Sequence, residues 1–178
     1  ANPTMIIGFH KPNAPDGDDY VFDVMETILS KGRTSRLYHR LVTDMQIAKS
    51  VSAINGIPAT RYPNLFTIFA EPRHPHTNAE LEENILKEID KLKTQLVPDE
   101  ELLKAKNNIK MSYIQNLDSN SEIASILAYY EVLLGDYKYF SDYLDNIEKV
   151  TAEDIRKAAN RYLNQNNCTT AFLNKKIP

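Results

Sequence analysis

The chain has a single cysteine, Cys168, no tryptophan and only five glycines among its 178 residues. One cysteine excludes an internal disulfide and any zinc site built from several thiolates, and it leaves the redox compartment open. No apolar run approaches the roughly 20 residues that span a bilayer. Basic residues are not in excess: the formal net charge is -3, which argues against nucleic acid as a partner. Neither a Gly-x-Ser-x-Gly elbow nor a phosphate-cradling glycine loop is present. The four histidines form neither His-Glu-x-x-His nor His-x-x-Glu-His, the arrangements that set two imidazoles one helical turn apart around a zinc ion. No signal peptide opens the chain. It begins at Ala1 and enters a strand almost at once, which we read as the abrupt start of a fragment separated from any targeting segment.

What is there reads as an ordinary globular protein, 42% hydrophobic and 25% charged, long enough for one domain over residues 1–178 with its own core. Met5 to Phe9 reads as a strand, and Lys11 to Asp19, with Pro12, Pro15 and Gly17, as a loop. Val21, Val24, Met25, Ile28 and Leu29 fall on one face of a 3.6-residue period, so a helix starts at Asp18 or Asp19 and stops at Gly32. Ser35 is a candidate cap for a second helix, with Leu37, Leu41 and Met45 on its buried side. Residues 47–57 and 65–70 alternate as strands joined by a long hairpin loop. The rest is mostly helical: a stripe Leu81, Ile85, Ile89 and Leu92 after the candidate cap Asn78; a start at Pro98; a break at Asp118-Ser119-Asn120; a stop at Gly135; a short helix from Tyr139 to Ile147; and a capping-box start at Thr151 with Asp154. Thr169 to Leu173 closes as a strand. Segregated strands and helices predict an α+β fold, a mainly antiparallel sheet of about four strands with helices on one face.

Candidate chemistry is sparse. His74 and His76 lie two apart on a proline-rich loop, and with His10 they form the one conceivable metal set, for a free-standing metal enzyme; a solvated loop is the plainer reading. Ser35 and His39 are four apart on a helix, but no orienting acid or oxyanion hole accompanies them. Of the ten tyrosines, Tyr129, Tyr130, Tyr137, Tyr139 and Tyr143 cluster late in the chain. They form either a peptide-gripping surface or, as we expect, core packing with the hydroxyls in water.

One stretch carries more. Lys31-Gly32-Arg33-Thr34-Ser35-Arg36-Leu37 ends one helix at a glycine and opens another. It is followed by Glu101 to Lys106, by Val150-Thr151-Ala152-Glu153-Asp154-Ile155, and by Ala158-Ala159-Asn160-Arg161-Tyr162-Leu163. In that order, and with the opening strand Met5 to Pro12, the chain resembles the second half of zinc peptidases of the insulinase, pitrilysin and mitochondrial processing peptidase superfamily, its bacterial members most. The resemblance covers nearly the whole chain. It implies a processing-peptidase-like α+β half, the C-terminal part of a larger two-domain protein. It implies that this half is inactive by itself and helps to enclose unfolded peptide and to assemble the peptidase. Zinc is then expected on the N-terminal half or on a homologous partner chain, and not here. The alternative is a catalytically inactive structural domain, like the respiratory-chain core proteins. The resemblance also implies an Arg and a Tyr seven residues apart that hold substrate. Those positions are Val42 and Lys49 here, so no pair is carried over. Lys49 remains as a cationic candidate for substrate binding, while Arg40, two residues from Val42, points about 200° away on a helix. No catalytic and no metal-binding residue is expected in this chain. Relatives occur in the bacterial periplasm and in the cytoplasm.

Overall fold

Met5, Ile7 and Phe9 alternate with Ile6, Gly8 and His10. That period of two becomes strand β1 (Thr4–Lys11) in the computed structural model, which describes residues 2–115, 117 and 119–174. With β2 (Ala48–Ile57), β3 (Asn64–Pro72) and β4 (Cys168–Leu173) it forms one sheet in the order β2-β3-β1-β4. Every pairing is antiparallel, and the register sets Ile7 against Ile68 and Phe9 against Phe66. One face of the sheet is therefore Met5, Ile7, Phe9, Phe66, Ile68 and Val51, all buried. The other carries Ile6, Leu65, Thr67, Phe69, Ile54 and Leu173, because successive side chains of a strand point to opposite faces.

The helices are laid on the first face. α1 (Gly17–Ser30) presents Val21, Val24, Met25, Ile28 and Leu29, each buried as its spacing requires. α2 (Asn78–Thr94) contributes Leu81, Ile85, Ile89 and Leu92, and α6 (Ala152–Tyr162) contributes Ile155, Ala158 and Ala159 to the same cluster. Burial of one such aliphatic side chain stabilises the fold by about 1.5–3 kcal/mol. α3 (Asp99–Gln115), α4 (Asn120–Leu134) and α5 (Lys138–Lys149) form an outer group against α1; α4 has no buried residue among those described. Among the described residues no helix is long and apolar enough to cross a membrane. The expected α+β architecture, with four antiparallel strands and the helices mostly on one side, is what the structure shows.

Local differences have local causes. α1 begins at Gly17, one or two residues before the expected start, because the Asp16 carboxylate accepts the Asp18 N–H and caps it. Thr77, not Asn78, caps α2; Asn78 is buried and its side-chain amide donates to the Leu173 carbonyl. Ser35 does not cap forward. Its hydroxyl donates back to the Gly32 carbonyl at 2.7 Å. The segment after it, Tyr38–Asp44, is wound as a π-helix with one extra residue per turn, so Met45 N–H reaches the Arg40 carbonyl. Leu37 and Leu41 are still fully buried, while Met45 is only partly so. The predicted break at 118–120 lies in part outside the described residues; of it, Ser119 caps α4 by accepting the Glu122 N–H. Thr151 and Asp154 form the predicted capping box at α6.

Candidate functional site

The Gly32–Leu37 segment is built for packing. Gly32 has φ +84°, a left-handed conformation that a side chain disfavours, and it turns the chain out of α1. That turn buries Leu37 and aims Arg36 at α3. Arg36 donates from Nε to Glu101 Oε1 at 2.8 Å and from Nη2 to Glu101 Oε2 at 2.5 Å, a two-pronged ion pair. Lys104 Nζ donates to the Thr34 hydroxyl beside it. Two segments singled out separately in the sequence thus meet in space.

The same turn forms one edge of a cavity of about 900 Å³ between α1, α3, α4, α5 and the β2–β3 hairpin. α1 supplies its floor. Asp19, Asp23 and Glu26 fall at i, i+4 and i+7, which puts all three on one helical face. Asp19 is paired with the buried ammonium of Lys11, and Glu26 with Lys31 at 2.7 Å. Among the described residues Asp23 is held by neutral donors only: Asn55 Nδ2 at 2.8 Å and the Tyr143 hydroxyl at 2.8 Å. Burial first, and the neighbouring Asp19 carboxylate second, push Asp23 up to about 7.

Tyrosines make the walls. Tyr20 and Tyr139 are buried and stacked with ring centres 5.4 Å apart, and Tyr113 lies parallel to Tyr143 at 5.9 Å. Burial raises Tyr130 to about 12 and drives Tyr139 and Tyr143 higher, so these phenols stay protonated and serve as donors. Tyr129 and Tyr137 are exposed, and Tyr129 shares a hydrogen bond with Thr60 on the hairpin. The expectation of packed rings is met at Tyr139 and Tyr143. That of a wet hydroxyl is not met at Tyr143, whose hydroxyl is spent on Asp23.

Other sequence candidates do not converge here. Lys49 is exposed on edge strand β2, at the register shift between Ala48 and Ser50, and it is not part of the cavity wall. Val42 is partly buried against the core. Ser35 is buried, and its hydroxyl serves Gly32, while the exposed His39 faces Asp44 at 3.2 Å. His10 pairs with Leu65 at one end of the sheet, whereas His74 and His76 follow Pro72 at the other, about 23 Å along the strands. His76 is engaged by Glu80 at 2.9 Å. Among the described residues no three His, Cys, Asp or Glu side chains converge on a point where a metal would sit. Zinc therefore does not fit the described residues.

A model of the family described as the peptidase M16 inactive domain matches residues 1–109. Over 168 residues the chain is 28% identical to the zinc protease PqqE of Helicobacter pylori, an alignment covering 94% of this chain and 37% of that protein. The chain thus spans little more than a third of that relative's length. The inactive peptidase domain of a predicted zinc protease from Bordetella parapertussis superposes with a TM-score of 0.87 at 22% identity, over 99% of this chain and 93% of that one. A chain of complex III2 from Candida albicans gives 0.81 at 16% identity, over 96% of this chain and 42% of that one. These two structural likenesses establish the fold.

Proposed function

The chain belongs to the peptidase M16 inactive domain family, and from that membership we propose that it is the non-catalytic C-terminal half of a zinc metallopeptidase. Its role is to enclose unfolded peptide and to assemble the peptidase. The carrying observation is the uncovered face of the sheet. A sheet with one wet face ordinarily alternates apolar inward and polar outward. Here the outward face keeps Ile6, Ile54 and Leu173 exposed at 38%, 36% and 52%, beside half-buried Leu65 and Phe69. Ser50, Ser52 and Glu71 are interspersed on it. An apolar wall with scattered hydrogen-bonding groups suits an extended peptide of mixed sequence, and it suits closure by a second half.

The metal and the bond-breaking chemistry then belong to the N-terminal half or to a homologous partner chain. Removing residues 1–178 from the full-length protein tests the role. Loss of peptide cleavage with the zinc still bound is the expected result, and cleavage that survives the removal contradicts it. A catalytically inactive, structural role is the second reading, favoured by Val42 and Lys49 standing where the Arg and Tyr of the resembled peptidases are expected. The histidine motif in the accompanying half separates the two: intact His-x-x-Glu-His supports the peptidase, a degraded one the structural role.

A further inference from the structure

The tyrosine-walled cavity lies in the helical layer, away from the sheet face assigned to peptide enclosure, and its lining is chemically one-sided. Three carboxylates and one ammonium, Lys31, line it. Among the described residues, Asp19 and Glu26 each have a cationic partner and Asp23 has none. Asn55 bridges Asp19 and Asp23 through its Nδ2 and keeps its own Oδ1 buried without a donor. The floor is thus rich in acceptors. Above it, Tyr113, Tyr130 and Tyr143 present rings, and Ile109, Ile126 and Leu133 present aliphatic surface. At about 900 Å³ the space falls in the range of small-ligand sites, roughly 300–1,000 Å³.

We propose that this cavity binds an organic cation, a guanidinium or ammonium group on an alkyl stem, with its head against Asp23 and its stem between the tyrosine rings. The chemistry follows from what each part lacks. A buried carboxylate without a counter-ion is costly, and a cation restores the balance. A guanidinium offers five N–H donors to a floor of acceptors, and aromatic faces attract cations. An anion would meet like charge, and a neutral apolar ligand would strip water from the carboxylates and return no donor.

The groups that face Asp23 set the pH behaviour. Lys11, Asp19, Glu26 and Lys31 carry the neighbouring charges, and the phenols of Tyr113, Tyr130, Tyr139 and Tyr143 are all raised by burial and stay protonated. With Asp23 at about 7, its ionised fraction falls about tenfold between pH 8 and pH 6, and affinity for a permanently charged guanidinium falls with it.

Titration calorimetry on the 178-residue chain tests the site with agmatine, with a blocked Gly-Arg-Gly tripeptide, and with its citrulline counterpart as the neutral isostere. One or both guanidinium probes bind, and the citrulline peptide does not. Agmatine alone binding identifies a free small cation, and the tripeptide binding identifies an arginine side chain. Affinity drops about tenfold from pH 8 to pH 6, and Asp23→Asn reduces it by at least as much. Tyr129→Ala, at the exposed rim, weakens binding without changing the thermal melt, so the site remains testable should Asp23→Asn fail to fold. The proposal is overturned if neither cation binds at millimolar concentration, if citrulline binds equally well, or if folded Asp23→Asn binds as the parent does.

Discussion

Asp23→Asn makes a test of the cavity's electrostatics that needs no ligand. In the folded chain Asp23 is pushed from 3.8 to about 7 by burial and by Asp19. A carboxyl group whose proton is held more tightly in the folded state costs nothing when both states are protonated, below about pH 4. The cost then grows as pH rises through the interval and is complete above pH 7. The displacement corresponds to about 4 kcal/mol at pH 8. An amide at position 23 removes that cost. It also keeps an oxygen to accept from Asn55 and gains an N–H to offer the Tyr143 oxygen, although Tyr143 must turn its own hydrogen elsewhere. Imperfect replacement of these bonds returns about 1–2 kcal/mol, leaving a net gain of about 2–3 kcal/mol. For a chain of this length each kcal/mol moves Tm by about 2–4 °C. Thermal melts followed by circular dichroism should therefore place Asp23→Asn about 4–12 °C above the parent at pH 8 and about 2–8 °C below it near pH 4, where only the cost of the replaced hydrogen bonds remains. The difference between variants cancels the titration of distant carboxylates. A variant that melts below the parent at pH 8, or a gap that does not change with pH, refutes the assignment of Asp23 as a partly buried carboxylate without a cationic partner among the described residues.

Further outcomes follow from the turn after α1. Gly32→Val should cost about 1–2 kcal/mol through the positive φ alone, since nothing lies within 4 Å of the position a Cβ would take; a melt unchanged by it contradicts the turn. Arg36→Ala, Glu101→Ala and the double variant should give a coupling of about 1 kcal/mol in urea unfolding, because the pair is two-pronged and only 17% and 29% exposed; a coupling of zero means the pair contributes nothing.

Much of this was legible in the chain because it is local. The α1 stripe, the Gly32 and Gly135 stops, the Thr151–Asp154 capping box and the alternation of Met5, Ile7 and Phe9 are each set by residues within one or two turns of one another. The cavity was not legible. Asp23 and Tyr143 stand 120 positions apart, and no period in either helix reports that one hydroxyl will meet the other carboxylate. Asp19, Asp23 and Glu26 belong to no motif in the sequence, and only in the fold do α3, α4 and α5 close over them. The π-helix was hidden for a similar reason. Leu37 and Leu41 satisfy an α-helical spacing and are buried, yet the segment must also deliver Ile47 to its bonds with Leu41 and Arg73 at the sheet edge. The exposed position of Lys49 could not be read from its place in an alternating strand, because the register shift beside it breaks the alternation.

We propose that this chain contributes enclosure, and not metal chemistry, to a two-part peptidase. Cleavage of an unstructured fluorogenic peptide by the purified chain, by the separately purified zinc-binding half, and by their equimolar mixture tests it most directly. The expected outcome is no turnover by the chain, little by the zinc half, and restored turnover on mixing, lost again when Ile54→Lys places a charge on the uncovered sheet face. Metal-dependent cleavage by the chain alone, or a zinc half as active alone as in the mixture, contradicts it.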